Sequence, residues 1–127
     1  MNSQRWLHPY FASIAAQDAE AIRNFFHPDA QILWHNTNER FTLDGFLRAN
    51  CEYPGSWAGE VERAESLGEG RVLSVARVWI RGGGPSFHVV SFFELAEGKI
   101  VRLDEYWGDD GPAPAWRQGL RLSAPIR

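Results

Sequence analysis

Two adjacent stretches of this chain are apolar on both faces of a β-strand, and this restricts the fold more than any other feature. Read with a period of two, Arg71–Arg81 carries Leu73, Val75 and Trp79 on one side and Val72, Ala76, Val78 and Ile80 on the other. Ser86–Leu95 sets Phe87, Val89 and Phe93 against Val90 and Phe92. Strands of this kind need cover above and below. Only three helix-like segments precede them, too few for both faces of a layered α+β domain. The uncovered face calls for a second subunit, and an isologous homodimer is the simplest way to supply one.

The periodicity predicts a first helix over 6–16, with Pro9 in its first turn. Asp18 caps a second helix through Ala19, Ile22, Phe25 and Phe26, ended by His27-Pro28-Asp29. A short strand follows over 30–35 and a polar loop over 36–40. Thr42 caps a third helix with the stripe Leu43, Phe46 and Leu47, and 53–59 reads as a loop. Strands are predicted over 60–67, 71–81, 86–95 and 99–107, with turns at 82–85 and 96–98. Residues 108–127 contain three Pro and read as an irregular C-terminal extension of a single domain spanning 1–127.

The last strand places Val101, Leu103, Glu105 and Trp107 on one face. A carboxylate between large apolar groups must be paired, protonated or turned toward a cavity, because burying it alone is costly. If the 96–98 turn pairs Leu95 with Lys99, Val89 lies opposite Glu105 and Phe87 opposite Trp107. If the Gly82–Gly84 turn pairs Trp79 with Phe87, then Arg77, Val89 and Glu105 form one row. The two charges then start about 10 Å apart, two strand spacings. A one-residue slip in the glycine turn would instead put His88 on that face.

Composition removes other classes. The net charge is -3 with no Lys/Arg block, which disfavours nucleic acid as a partner. The one cysteine, Cys51, cannot form an internal disulfide, which fits a reducing compartment. No run approaches the ~18 apolar residues of a membrane span, and the start lacks a basic region followed by an apolar run. A cytoplasmic protein is expected. No His/Asp/Glu group has ligand spacing, so no metal is expected. Gly82–Gly84 lack a following Lys and helix, so no phosphate cradle is expected either.

Three helices, a short strand after the second and a meander ending in GKIVRLDEYW resemble the nuclear transport factor 2-like superfamily, in its SnoaL-like and ketosteroid isomerase-like branch. The resemblance covers roughly 6–108 and rests on DAEAIRNFFHPDAQILWH (18–35), TLDGFLRA (42–49) and EGKIVRLDEYW (97–107). It implies an α+β cone, a curved antiparallel sheet closed by three N-terminal helices. The superfamily holds ketosteroid isomerases, SnoaL-type polyketide cyclases, scytalone-type dehydratases, epoxide hydrolases and non-enzymatic binders, and fold alone does not choose among them. Ketosteroid isomerases use an Asp base with a Tyr and a protonated Asp on the oxyanion. By resemblance, Tyr10 falls at the oxyanion tyrosine, Trp34 at the catalytic Asp, and Ser91 or Val90 at the second Asp. With two of three positions lost, that mechanism is disfavoured here. The same resemblance turns Leu103, Glu105 and Trp107 toward the cavity.

These readings make Glu105, His35, Tyr10 and Arg77 the candidate catalytic residues, with Glu105 or His35 as base and Tyr10 or Arg77 on the oxygen. Trp34, Trp57, Trp79, Ser91, Leu103 and Trp107 are the candidate ligand-binding residues. The expected function is binding of a small apolar or aromatic molecule with a polar oxygen, with cofactor-free isomerase, cyclase or dehydratase chemistry if it is an enzyme. The alternative is a non-catalytic ligand-binding or protein-interaction domain, in which the same residues only stabilise the fold.

Overall fold

The structure is a computed structural model and describes residues 4–127. The elements are α1 (Leu7–Ala16), α2 (Ala19–Arg23), β1 (Phe26–Trp34), β2 (Glu39–Phe41), α3 (Leu43–Cys51), β3 (Trp57–Gly68), β4 (Arg71–Ile80), β5 (Ser86–Ala96) and β6 (Lys99–Asp109). The six strands form one sheet in the order β2-β1-β6-β5-β4-β3, antiparallel except for β1 beside β6. All three helices lie on one side, α1 against β3 and α3 against β1. The chain is therefore the curved α+β layer that the resemblance implied. Among the described residues no helix is long and apolar enough to cross a membrane.

Local signals explain most element boundaries. The Asp18 side chain accepts from Ala21 N–H, and Thr42 Oγ1 accepts from Gly45 N–H, so both caps act as expected. The second helix differs from expectation: it ends at Arg23, and Phe26 already belongs to β1. Pro28 explains this. It disfavours helix at His27, and it has no N–H to give a ladder. The β1–β6 pairing accordingly skips from Phe26↔Ile100 to Gln31↔Arg102, leaving Pro28 in the unpaired gap. Phe26 gains burial against Phe46, ring centroids 5.6 Å apart. The loop expected over 36–40 contains the start of β2, and the one over 53–59 gives way to β3 at Trp57. The last strand extends to Asp109, so the irregular extension begins two residues later than expected.

Register determines the site, and both turns differ from expectation. The β5–β6 connection is a two-residue turn, Glu97 (φ 52°) and Gly98 (φ 78°), which pairs Ala96 with Lys99. Two consecutive positive φ values make this the tight hairpin turn that matches strand twist. A further shift between Glu94 and Leu95 brings Ser91, not Val89, opposite Glu105, and Val89, not Phe87, opposite Trp107. The net displacement is two residues, so the face is conserved and Glu105 stays inside. The same irregularity turns Ile100 into the core in place of Val101.

The β4–β5 connection shifts by one residue. Ile80 N–H donates to Pro85 C=O, which pairs Trp79 with Ser86 and Arg77 with His88. Val72, Ser74, Ala76 and Val78 are the buried row of β4. Arg77, Trp79 and His88 consequently lie on the outer face, and the expected row of Arg77, Val89 and Glu105 does not form. There the Arg77 guanidinium sits 4.6 Å over the Trp79 ring and 3.9 Å from Asp110. His88 bridges Asp110 and Glu62, at 3.0 Å to the latter.

Candidate functional site

The cross-strand row on the inner face runs Ser74, Ser91, Glu105, Trp34 over β4, β5, β6 and β1. It is a polar line through an apolar core. Glu105 is 3% exposed. Ser91 Oγ donates to Glu105 Oε2 at 2.7 Å, and Trp34 Nε1 donates to Oε1 at 3.1 Å. The Trp107 indole N–H lies near the same carboxyl without a hydrogen bond of good geometry. Burial pushes the Glu105 carboxyl from 4.5 up to about 7, against the lowering effect of those donors. Among the described residues no cation pairs with it.

Tyr10 lies beside this row, 1% exposed, with its hydroxyl unpartnered. Its ring packs edge-on against Trp6, Phe11, Phe25 and Phe93. Burial, and secondarily the Glu105 charge, hold the phenol well above its ordinary value, so Tyr10 is a neutral donor. The Ser74 hydroxyl is likewise buried without a partner. Three unpartnered polar atoms, on Tyr10, Ser74 and Trp107, thus surround or adjoin one titrating carboxyl. Unpartnered buried groups cost ~1–3 kcal/mol each.

A cavity of about 340 Å³ opens at the end of the sheet where β1, β4 and β6 finish and β3 and β5 begin. Its wall is a continuous set of ring contacts: Tyr53 on Trp57, Trp57 on Phe87, Phe87 on Trp107, and Trp107 on Trp34. Trp34 and Trp107 face both ways, lining the cavity and screening Glu105 behind them.

Of the candidates read from sequence, Trp34, Trp57 and Trp107 line the cavity. Glu105, Tyr10, Ser91 and Leu103 are buried in the core and are not among the residues that line the cavity. Three others lie elsewhere. Arg77 and Trp79 are on the outer face for the register reason above. His35 follows β1 with its ring on the outer side, stacked 4.4 Å over Tyr106 and 2.7 Å from Asp104. The sequence reading missed Gln17, Asn36, Asn50, Tyr53, Phe87 and Asp109 as cavity residues. Asp109 was legible, since it continues the parity of Glu105 and Trp107. Gln17 was not: its αL backbone (φ 55°) at the end of α1 aims the side chain at Asn50 and Tyr53 carbonyls far along the chain.

The profile of the SnoaL-like domain family matches residues 7–103. The chain belongs to the SnoaL-like domain family. No curated protein matches it. Among solved structures, this SnoaL-like chain is similar to a candidate ketosteroid isomerase from Kribbella flavida, at 25% identity and TM-score 0.75 over 94% of this chain and 87% of that one. An NTF2-like protein of unknown function from Burkholderia xenovorans superposes with TM-score 0.74 at 24% identity, covering 95% and 92% of the two chains. A candidate SnoaL-like polyketide cyclase from Jannaschia sp. gives TM-score 0.64 at 18% identity over 80% and 81%. The latter two likenesses are of fold. The SnoaL-like chain therefore has the nuclear transport factor 2-like architecture on which isomerases and cyclases are built.

Proposed function

We propose that the chain binds a small, largely apolar molecule bearing a carbonyl oxygen and moves a proton on it without a cofactor. The observation that carries this reading is the buried Glu105 carboxyl, held at about 7 beside an aromatic-walled cavity. Near neutral pH such a group gives and takes protons readily. Glu105 would take a proton from the carbon next to the carbonyl. The bonding pair moves onto the oxygen, which Tyr10 stabilises as a neutral hydrogen-bond donor. Protonated Glu105 then returns the proton to carbon. For the ligand to reach Glu105, the Trp34 indole must swing off the carboxyl, so Trp34 acts as the gate.

The test needs no knowledge of the natural substrate. Enolisable aryl ketones are incubated with the protein in D2O, and exchange of the α-proton is followed by NMR. Exchange is expected with the wild-type chain, rising as the pH passes 7. It is expected to vanish in Glu105→Gln and to fall by about 10²-fold in Tyr10→Phe with no loss of stability, since that hydroxyl has no partner to lose. No exchange with any ketone that binds would favour the second reading, binding without turnover. The closed Trp34–Trp107 screen in front of Glu105 favours that alternative.

The same reading includes a homodimer through the outer sheet face. Leu73, Val75 and Val90 are only partly covered there, and Phe92 and Tyr106 are 40% and 45% exposed and pack edge-on. Sedimentation of the wild-type chain at micromolar concentration should give the dimer, and Phe92→Glu should give the monomer. A wild-type monomer would count against the interface.

A further inference from the structure

We propose that the cavity selects a cationic ligand: a protonated amine on an aromatic or otherwise apolar body. This rests on the reading of the cavity as a ligand site, but not on any chemistry at Glu105.

The walls are suited to a cation. Phe87 and Trp107 meet at 6.2 Å with planes 85° apart, and Trp34 and Trp107 at 6.2 Å and 71°. Tyr53 stacks on Trp57 at 5.4 Å and extends the wall toward the mouth. Rings set at steep angles around one space offer electron-rich faces from several directions, which is how aromatic cages hold ammonium groups.

The charge pattern points the same way. Among the described residues the cavity is lined by one carboxylate, Asp109, and by no Lys, Arg or His. Asp109 pairs in register with Phe87 and follows Trp107 by two residues, so it stands at the rim of the aromatic wall. No ion pair engages it among the described residues. Its neighbour Asp110, by contrast, is held by His88 and Arg77. An anionic ligand would meet Asp109 and no compensating cation. Two side chains add acceptors. Gln17 commits its amide N–H₂ to the Asn50 and Tyr53 carbonyls, and Asn50 commits its own to the Ile14 carbonyl. Their side-chain oxygens remain for a ligand that only donates, as an ammonium does. Asn36 is the exception. Its oxygen accepts from the Trp107 backbone N–H, which leaves an amide donor for a neutral oxygen on the same ligand.

The test is calorimetry on the full chain at neutral pH with three probes sharing one ring system: naphthylmethylamine, naphthalenemethanol and naphthoate. The amine is expected to bind about tenfold or more tighter than the alcohol, with naphthoate weakest. The preference should narrow as salt is raised, because Asp109 is exposed. Asp109→Asn should bring the amine to within about threefold of the alcohol, and a variant that keeps the full wild-type preference overturns the role of Asp109. An alcohol or carboxylate that binds as tightly as the amine overturns the charge selection and leaves the cavity reading standing. Binding that Trp107→Ala does not weaken, or no binding by any probe, overturns both.

Discussion

Glu105→Gln is expected to stabilise the folded chain by about 3 kcal/mol at pH 8. The folded carboxyl holds its proton until about pH 7, whereas an ordinary one loses it near 4.5. Between those values the native state binds more protons than the unfolded state. Stability from this group is therefore complete below about 4.5, declines as the pH rises, and levels off above 7. Gln cannot ionise and escapes the decline. It also suits the site: its oxygen can accept from Trp34, which only donates, and its N–H₂ can donate to the Ser91 hydroxyl, which can turn and accept. Asp104 and Asp110, held below their ordinary values by neighbours including Arg102, His35, Ser86 and His88, give the opposite slope in acid. The difference between variant and wild type isolates Glu105. Urea unfolding at about pH 5 and pH 8 would measure it. A variant less stable than wild type at pH 8 would mean that the ionised carboxylate is needed for folding.

Phe93→Ala is expected to cost about 3–5 kcal/mol and to lower the thermal midpoint by roughly 10–20 °C. Phe93 is 1% exposed at the centre of β5. Its ring receives Trp6 edge-on at 5.0 Å and Tyr10 at 5.5 Å. Truncation removes both contacts and leaves a void between α1 and the sheet, which rigid strands close only partly. Calorimetric melting is the measurement. A loss below about 1 kcal/mol would show that the site collapses freely, and that Tyr10 is not held in place by its neighbours.

The curved antiparallel meander, the alternation of inward and outward residues on β5, and the caps at Asp18 and Thr42 were legible because each follows from a local rule. Alternation and cap chemistry act within a few residues. Glu105 was legible for the same reason: parity alone puts it with Leu103 and Trp107. What failed was counting across turns. Pro85 looked like part of the glycine turn, yet its carbonyl continues the ladder to Ile80, and that one residue moved Arg77 and Trp79 to the outer face. His35 failed for a related reason. It follows Trp34 directly, and neighbours on an extended strand face opposite ways, so both could not reach the cavity. The donors to Glu105 were partly foreseeable, since Trp34 and Ser91 were already singled out. Their convergence was not: Trp34 reaches Glu105 through the parallel β1–β6 pairing, which closes over 70 residues of chain, and Ser91 through the two-residue displacement of the β5–β6 register.

Both register irregularities along β6 fall at the same end of the sheet, between Phe26 and Gln31 and between Glu94 and Leu95. From there the β5–β6 pairing runs without interruption to Asp109 and the β1–β6 pairing to Glu105, so the Ser91–Glu105–Trp34 row lies in regular ladder. Insertions and deletions arising near the 97–98 turn or around Pro28 can be absorbed where the ladder is already out of step. Near the row they would exchange Glu105 for Asp104 or Tyr106. Divergence in a lineage built on this scaffold should therefore take two forms, changes of length around Pro28 and the 97–98 turn and changes of side chain around the row and the cavity.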